Sequence, residues 1–106
     1  MSDQTGWVVT ASQDNAEATA TKAAVSGKSH VVRSVDAGFS GAATKLLQIK
    51  DGTTVVWSGP VYSSREVVFP NGLTITKGNA CSAVLAASGT GGVTGYVNLH
   101  GTTRAV

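Results

Sequence analysis

Two histidines, one cysteine and six acidic residues are the groups best suited to metal or proton chemistry in this chain of 106 residues. Their spacing argues against both. His30 and His100 fall in runs that read as strands, and a strand histidine reads as a polar-face residue rather than a general base. The Gly-x-Ser-x-Gly nucleophile elbow is absent. Ser26-Gly27-Lys28-Ser29 has the tail of a phosphate loop, but Lys22 stands where the first glycine must be, so this is read as an ordinary turn. Cys81 and His100 lack the near neighbours of a spaced ligand set. Cys81 belongs to a row of small residues with Ala83 and Ala87 and reads as a buried, inert thiol. The carboxylates form neither an acidic calcium loop nor a pair suited to glycoside hydrolysis. No enzyme, metal or cofactor is expected, and a lone cysteine excludes an internal disulfide.

Binding is the better prospect. Tyr62, Arg65 and Tyr96 are the candidate surface-binding residues, because an aromatic platform flanked by polar groups suits a glycan and Tyr62-Ser63-Ser64-Arg65 offers both. Against that stands the preferred reading, in which the tyrosines lie at sheet margins with wet hydroxyls and Trp57 lies in the core. Basic residues exceed acidic ones by eight to six but are spread along the whole chain. Counterion release needs cations converging on one phosphate track, so no nucleic acid is expected. No apolar run approaches the roughly 18 residues of a membrane helix. The start, from Met1 to Gly6, has neither a basic head nor an apolar stretch, so no secretory leader is expected.

The elements that must carry these side chains are strands. Alanine (14), glycine (13), threonine (13) and serine (11) make up nearly half the chain, and fifteen valines join them, a mix that favours extended backbone and tight turns. Val93, Val97 and Leu99 alternate with Thr94, Tyr96, Asn98 and His100. Cys81, Ala83, Leu85 and Ala87 form a similar row. Val31, Val35, Ala37 and Phe39 line one side of a strand that carries Ser34 and Asp36 on the other. Val67 with Phe69 and Leu73 with Ile75 read as two strands joined by a Pro70-Asn71-Gly72 turn. Residues 14–25 read as strand or helix: Asp14-Asn15-Ala16-Glu17 resembles a capping box, but the threonines alternate and strand is preferred. Short strands between glycine-rich turns argue for an all-β fold, a single antiparallel β-sandwich of about eight short strands over residues 1–106.

The Asp51-Gly52 hairpin sharpens the functional expectation. Pairing outward from a type I′ turn puts Leu47, Ile49 and Val56 on one face, and Leu46, Val55 and Trp57 on the other. Both faces are apolar, whereas a sandwich strand pair normally wets one. Leu46, Val55 and Trp57 are therefore the candidate oligomer or capsid interface.

Residues 43–52, Val67-Val68-Phe69-Pro70, Gly78-Asn79-Ala80-Cys81-Ser82-Ala83 and residues 92–99 together resemble small structural proteins of tailed phages and prophages. The similarity runs diffusely over residues 18–101. It implies a jelly-roll sandwich acting as a capsid-decorating (cement) or fibre-like virion component, often trimeric. The expected partners are the major capsid protein and copies of the chain itself. The expected place is the virion surface, after synthesis in the host cytoplasm. The alternative is a receptor- or glycan-binding module of a fibre. Met1 to Thr5 read as a plain disordered terminus or, alternatively, as a flexible N-terminal arm.

Overall fold

Apolar residues at every second position leave each strand one face to hide, and stacking two sheets hides them all at once. The computed structural model describes residues 5–105. Its strands are β1 (Thr5–Asp14), β2 (Ala18–Lys22), β3 (Lys28–Phe39), β4 (Thr44–Asp51), β5 (Thr54–Tyr62), β6 (Ser64–Thr74), β7 (Cys81–Leu85) and β8 (Thr94–Ala105). One sheet has the order β1-β8-β3-β6 and the other β2-β7-β4-β5, with every pairing antiparallel. Only β4 and β5 are successive strands in one sheet; every other connection passes between sheets, the winding of a jelly roll. The eight-strand jelly-roll sandwich is thus the fold, although four strands run to ten residues or more.

Bulk in the core comes from Val32, Val35, Leu47, Ile49, Val61, Ile75, Leu85, Val97 and Leu99, and Ala18, Ala20, Cys81 and Ala83 fill between them. Each fully buried branched side chain contributes about 1.5–3 kcal/mol, so the fold stands without a staple. Two aromatic clusters close the open sides of the sandwich. Beside β1, the Trp7 Nε1–H donates to Thr103 Oγ1 at 2.8 Å, and Thr103 Oγ1 lies 2.7 Å from His30 Nδ1. His30 Nε2 lies 2.8 Å from the Ala23 carbonyl. A carbonyl can only accept, so His30 carries its proton on Nε2, and the Thr103 hydroxyl donates to Nδ1. Between β5 and β6, Trp57 packs edge-on against Phe69, centroids 6.1 Å apart, with the Arg65 guanidinium 5.4 Å above the indole.

Three local expectations change and one choice is resolved. The hairpin pairs Asp51 with Thr54 and Lys50 with Val55, then shifts register so that Ile49 faces Trp57 and Leu46 faces Pro60. The two-residue turn is Gly52-Thr53, with positive φ at Gly52 alone, as a type II′ turn requires. The shift puts Trp57 on the inner face beside Ile49, not outside with Leu46 and Val55. The second correction concerns Pro70-Asn71-Gly72, which joins no two strands: β6 runs on through it, and the register jump sets residues 69–72 against Arg33 alone. That bulge reverses the parity of β3, so Val32 rather than Val31 continues the inner row of Val35 and Ala37. The preferred strand reading holds at residues 18–22, which ends the helix alternative there. Lastly, Thr5 already begins β1; the rest of the expected terminus or arm, Met1 to Gln4, lies outside the described residues.

Asp51 ties the hairpin to the β6–β7 connection. Its Oδ2 accepts from the Thr76 N–H at 2.9 Å and the Thr76 hydroxyl at 2.7 Å, and its Oδ1 accepts from the Asn79 amide at 2.9 Å. Burial alone would raise this carboxyl, but the Thr76 hydroxyl, the Asn79 amide and the Thr76 N–H outweigh it and hold the group below its ordinary value.

Candidate functional site

Directly opposed residues in a sheet share a face, so the register assigns each candidate a side. On the outer face of the second sheet, Leu46 stands beside Pro60, Tyr62 beside Thr44, and Val55 beside Lys50. Leu46 is 45% exposed, Val55 44%, Val56 39% and Tyr62 67%. Leu46, Pro60 and Tyr62 form one end of an apolar strip and the two valines the other, with Gln48 and Ser58 between them. Val8 and Val68 are exposed as well, but His100 and Ser34 separate them across the first sheet. Single exposed valines are ordinary, and the hairpin groups differ from them in sharing one face.

Arg65 does not join Tyr62. It pairs with Ala37, points toward the interior side, covers Trp57 and donates from Nη1 to the Pro60 carbonyl at 2.9 Å. Trp57 and Arg65 therefore seal the β5–β6 side of the sandwich, while Tyr62 and Tyr96 lie on the outer faces of different sheets. The candidate surface-binding residues Tyr62, Arg65 and Tyr96 are not brought together.

The outer face of the first sheet holds a polar set that no single stretch of sequence advertises. Asp36 accepts from Asn98 Nδ2 at 2.8 Å and lies 3.2 Å from His100 Nε2. Glu66 is the next residue across from Asp36, and Thr10 the next across from Asn98. One row further along, the phenol end of Tyr96 reaches over Gly38, where an added Cβ would come within 2.5 Å of the phenol oxygen. Glycine is required there by that close approach. Alternation alone turns Asp36, Asn98 and His100 outward, but only the pairing of β3 with β8 makes them neighbours.

His30 is near a hydroxyl, that of Thr103, but both residues are buried and that hydroxyl already bonds Trp7. His100 and Asp36 are half exposed, and Ser34 opposite His100 forms no hydrogen bond with it. Burial, first, and the Asp51 carboxylate push the Cys81 thiol up to about 12, with Lys22 pulling weakly the other way. Such a thiol is not a nucleophile. Among the described residues, no three His, Cys, Asp or Glu side chains gather as a metal site would need.

No protein-family model matches the chain, and no curated protein matches it in sequence. Solved structures do match. A chain of the acid-stable capsid of Helicobacter pylori bacteriophage KHP30 superposes with a TM-score of 0.59 at 13% identity, over 96% of this chain and 93% of that one. The likeness is one of fold: a β-sandwich shared with a phage capsid chain. The CBM36-1 domain of a multidomain xylanase, from the hindgut metagenome of Trinervitermes trinervoides, gives 0.53 at 10% identity over 92% of this chain and 96% of that one. The insecticidal delta-endotoxin Cry8Ea1 of Bacillus thuringiensis gives 0.55 at 13% identity, over 86% of this chain but 18% of that one. The first two matches run through nearly the full length of both partners.

Proposed function

We propose that this chain is a non-enzymatic virion protein of a phage that decorates the assembled capsid, sitting on the shell as copies of itself, three by preference, and stabilising it. The observation that carries this reading is the exposed apolar outer face of the β4–β5 hairpin, at Leu46, Val55, Val56 and Tyr62. The core beneath is complete, so this surface is surplus to folding. A protein that binds only the assembled shell stabilises it by mass action, and repetition over the lattice multiplies weak contacts. The full-length match to a KHP30 capsid chain supports the same reading at the level of fold. The test is co-sedimentation of the purified chain with capsids stripped of it. Leu46→Lys withdraws about 1.5–3 kcal/mol of side-chain burial per copy, equivalent to a loss of roughly ten- to a hundredfold in affinity. Undiminished binding by Leu46→Lys and Val55→Lys would refute the assignment of this face.

A second reading is favoured by a separate observation. Tyr96, 38% exposed with its phenol end over Gly38, and Asp36 and Asn98 in the adjoining row, set an aromatic ring beside hydrogen-bonding groups, the combination that recognises a pyranose ring. On that reading the chain is a glycan- or receptor-binding module of a fibre, and the β-sandwich likeness to a CBM36 domain is consistent with it. Retention on a glycan array that is abolished by Tyr96→Ala and unaffected by Leu46→Lys would select it over decoration.

A further inference from the structure

Four strands end the two sheets, and three of those edges are closed to another strand. On β5, the Pro60 carbonyl accepts from Arg65, which shows that residue 60 turns its backbone outward; proline has no N–H to offer there, and the one carbonyl is taken. The β5 register also breaks between Ile49 and Lys50 of its partner. On β6, residues 69–72 bulge out of register with Pro70 among them. On the second sheet's other edge, β2 is five residues long and ends at Lys22. Prolines, bulges, short strands and lysines are the usual means of keeping a sheet edge from pairing.

β1 has none of these. It runs ten residues, contains no proline, lysine or arginine, and stays in unbroken register with β8 from Thr5 to Asp14. The Asn15 N–H continues that ladder onto the Val93 carbonyl at 3.2 Å, and the Ser40 N–H takes the Thr94 carbonyl on the other side of β8. In an antiparallel ladder alternate residues bond the same neighbour, so Gly6, Val8, Thr10 and Ser12 turn their N–H and C=O groups to the free edge.

We propose that β1 is a self-association edge, pairing antiparallel with β1 of a second copy about a two-fold axis through Thr10. The strand is its own complement in that register. Val8 meets Ser12 and Gly6 meets Asp14, so the one charge on the strand never opposes its like. The first sheets of two copies become a continuous eight-stranded sheet. This contact uses the edge of the first sheet and does not rest on the shell-binding reading, which uses the face of the second.

Sedimentation of the full chain over a concentration series tests it, together with mild oxidation of two cysteine variants. Thr10→Pro removes an outward N–H and leaves the β8 ladder whole; it is expected to weaken self-association at least tenfold at an unchanged melting temperature. Thr10→Cys places two thiols on the axis at a Cα separation of about 5.5 Å, within disulfide reach, and is expected to link into a covalent dimer. Ser12→Cys faces Val8 of the other copy and is expected to stay unlinked. Cys81 is enclosed in the core and does not compete. Leu46→Lys is expected to leave the Thr10→Cys link intact, which separates this contact from the hairpin face. A chain that stays monomeric at every concentration, or a Thr10→Cys variant that links no better than Ser12→Cys, would overturn the proposal.

Discussion

Thr102 and Thr103 are neighbours on β8, yet replacing each by valine is expected to have opposite consequences. Thr103 Oγ1 stands between the Trp7 indole N–H at 2.8 Å and His30 Nδ1 at 2.7 Å. Valine keeps the volume and removes both bonds, leaving the His30 acceptor unpartnered in a buried place and the Trp7 donor in a half-buried one. Each such group costs about 1–2 kcal/mol, so Thr103→Val is expected to destabilise by about 2–4 kcal/mol in total. For a domain of this size each kcal/mol moves the melting temperature by roughly 4–8 °C, and a fall of about 8–32 °C follows. Thr102 Oγ1 is also buried but meets no hydrogen-bonding partner, so its desolvation is uncompensated already. Thr102→Val is expected to be neutral or to stabilise by up to about 1 kcal/mol. Urea unfolding followed by tryptophan fluorescence reports both, since Trp7 belongs to the network. Equal midpoints for the two variants, or a Thr102→Val less stable than Thr103→Val, would refute this account of the cluster.

Arg65→Ala is expected to cost about 1–2 kcal/mol, because it uncovers the Trp57 face and frees the Pro60 carbonyl; Arg65→Lys, lacking the planar fork, is expected to restore only part of this in thermal melts. Because Asp51 titrates below its ordinary 3.8 in the folded chain, its contribution is present above that value and is lost as pH falls through the folded one. The stability gap between wild type and Asp51→Ala in acid titrations is therefore expected to narrow below about pH 4. The Cys81 thiol is raised from 9.0 to about 12, so its share of stability is complete below pH 9 and declines as pH climbs toward 12. Iodoacetamide at neutral pH is expected to label it only after denaturant is added, and rapid labelling of the native chain would contradict its burial.

Period-two alternation needs nothing beyond neighbouring residues, and it carries the strands of this chain well. The rows Val97–Leu99 and Cys81–Ala83–Leu85 are inner rows, and Tyr96, Asn98 and His100 face outward. Composition and turns suffice for the fold class, because apolar groups on one side of many short strands have few ways to hide other than two stacked sheets. Bulges defeat the same reasoning. One extra residue at Val56 exchanges the faces of the hairpin, and four residues against one at Arg33 exchange Val31 for Val32. A bulge is fixed by the strand across the ladder, so a side chain's face beyond it is undetermined by local pattern.

Pairing partners lie further still from what a linear chain displays. Asp36 and Asn98 are 62 residues apart and become hydrogen-bonded only because β3 and β8 are neighbours. Tyr96 lies over Gly38 for the same reason, and Arg65 reaches Trp57 because β5 and β6 close one side of the two sheets. Whether the chain is extended, and which residues are apolar, are properties of short stretches and were decided there. Which polar groups meet, and which edge is left open, depend on strand order, and strand order is set by the whole core finding a single arrangement that buries Leu47, Ile49, Leu85 and Leu99 together.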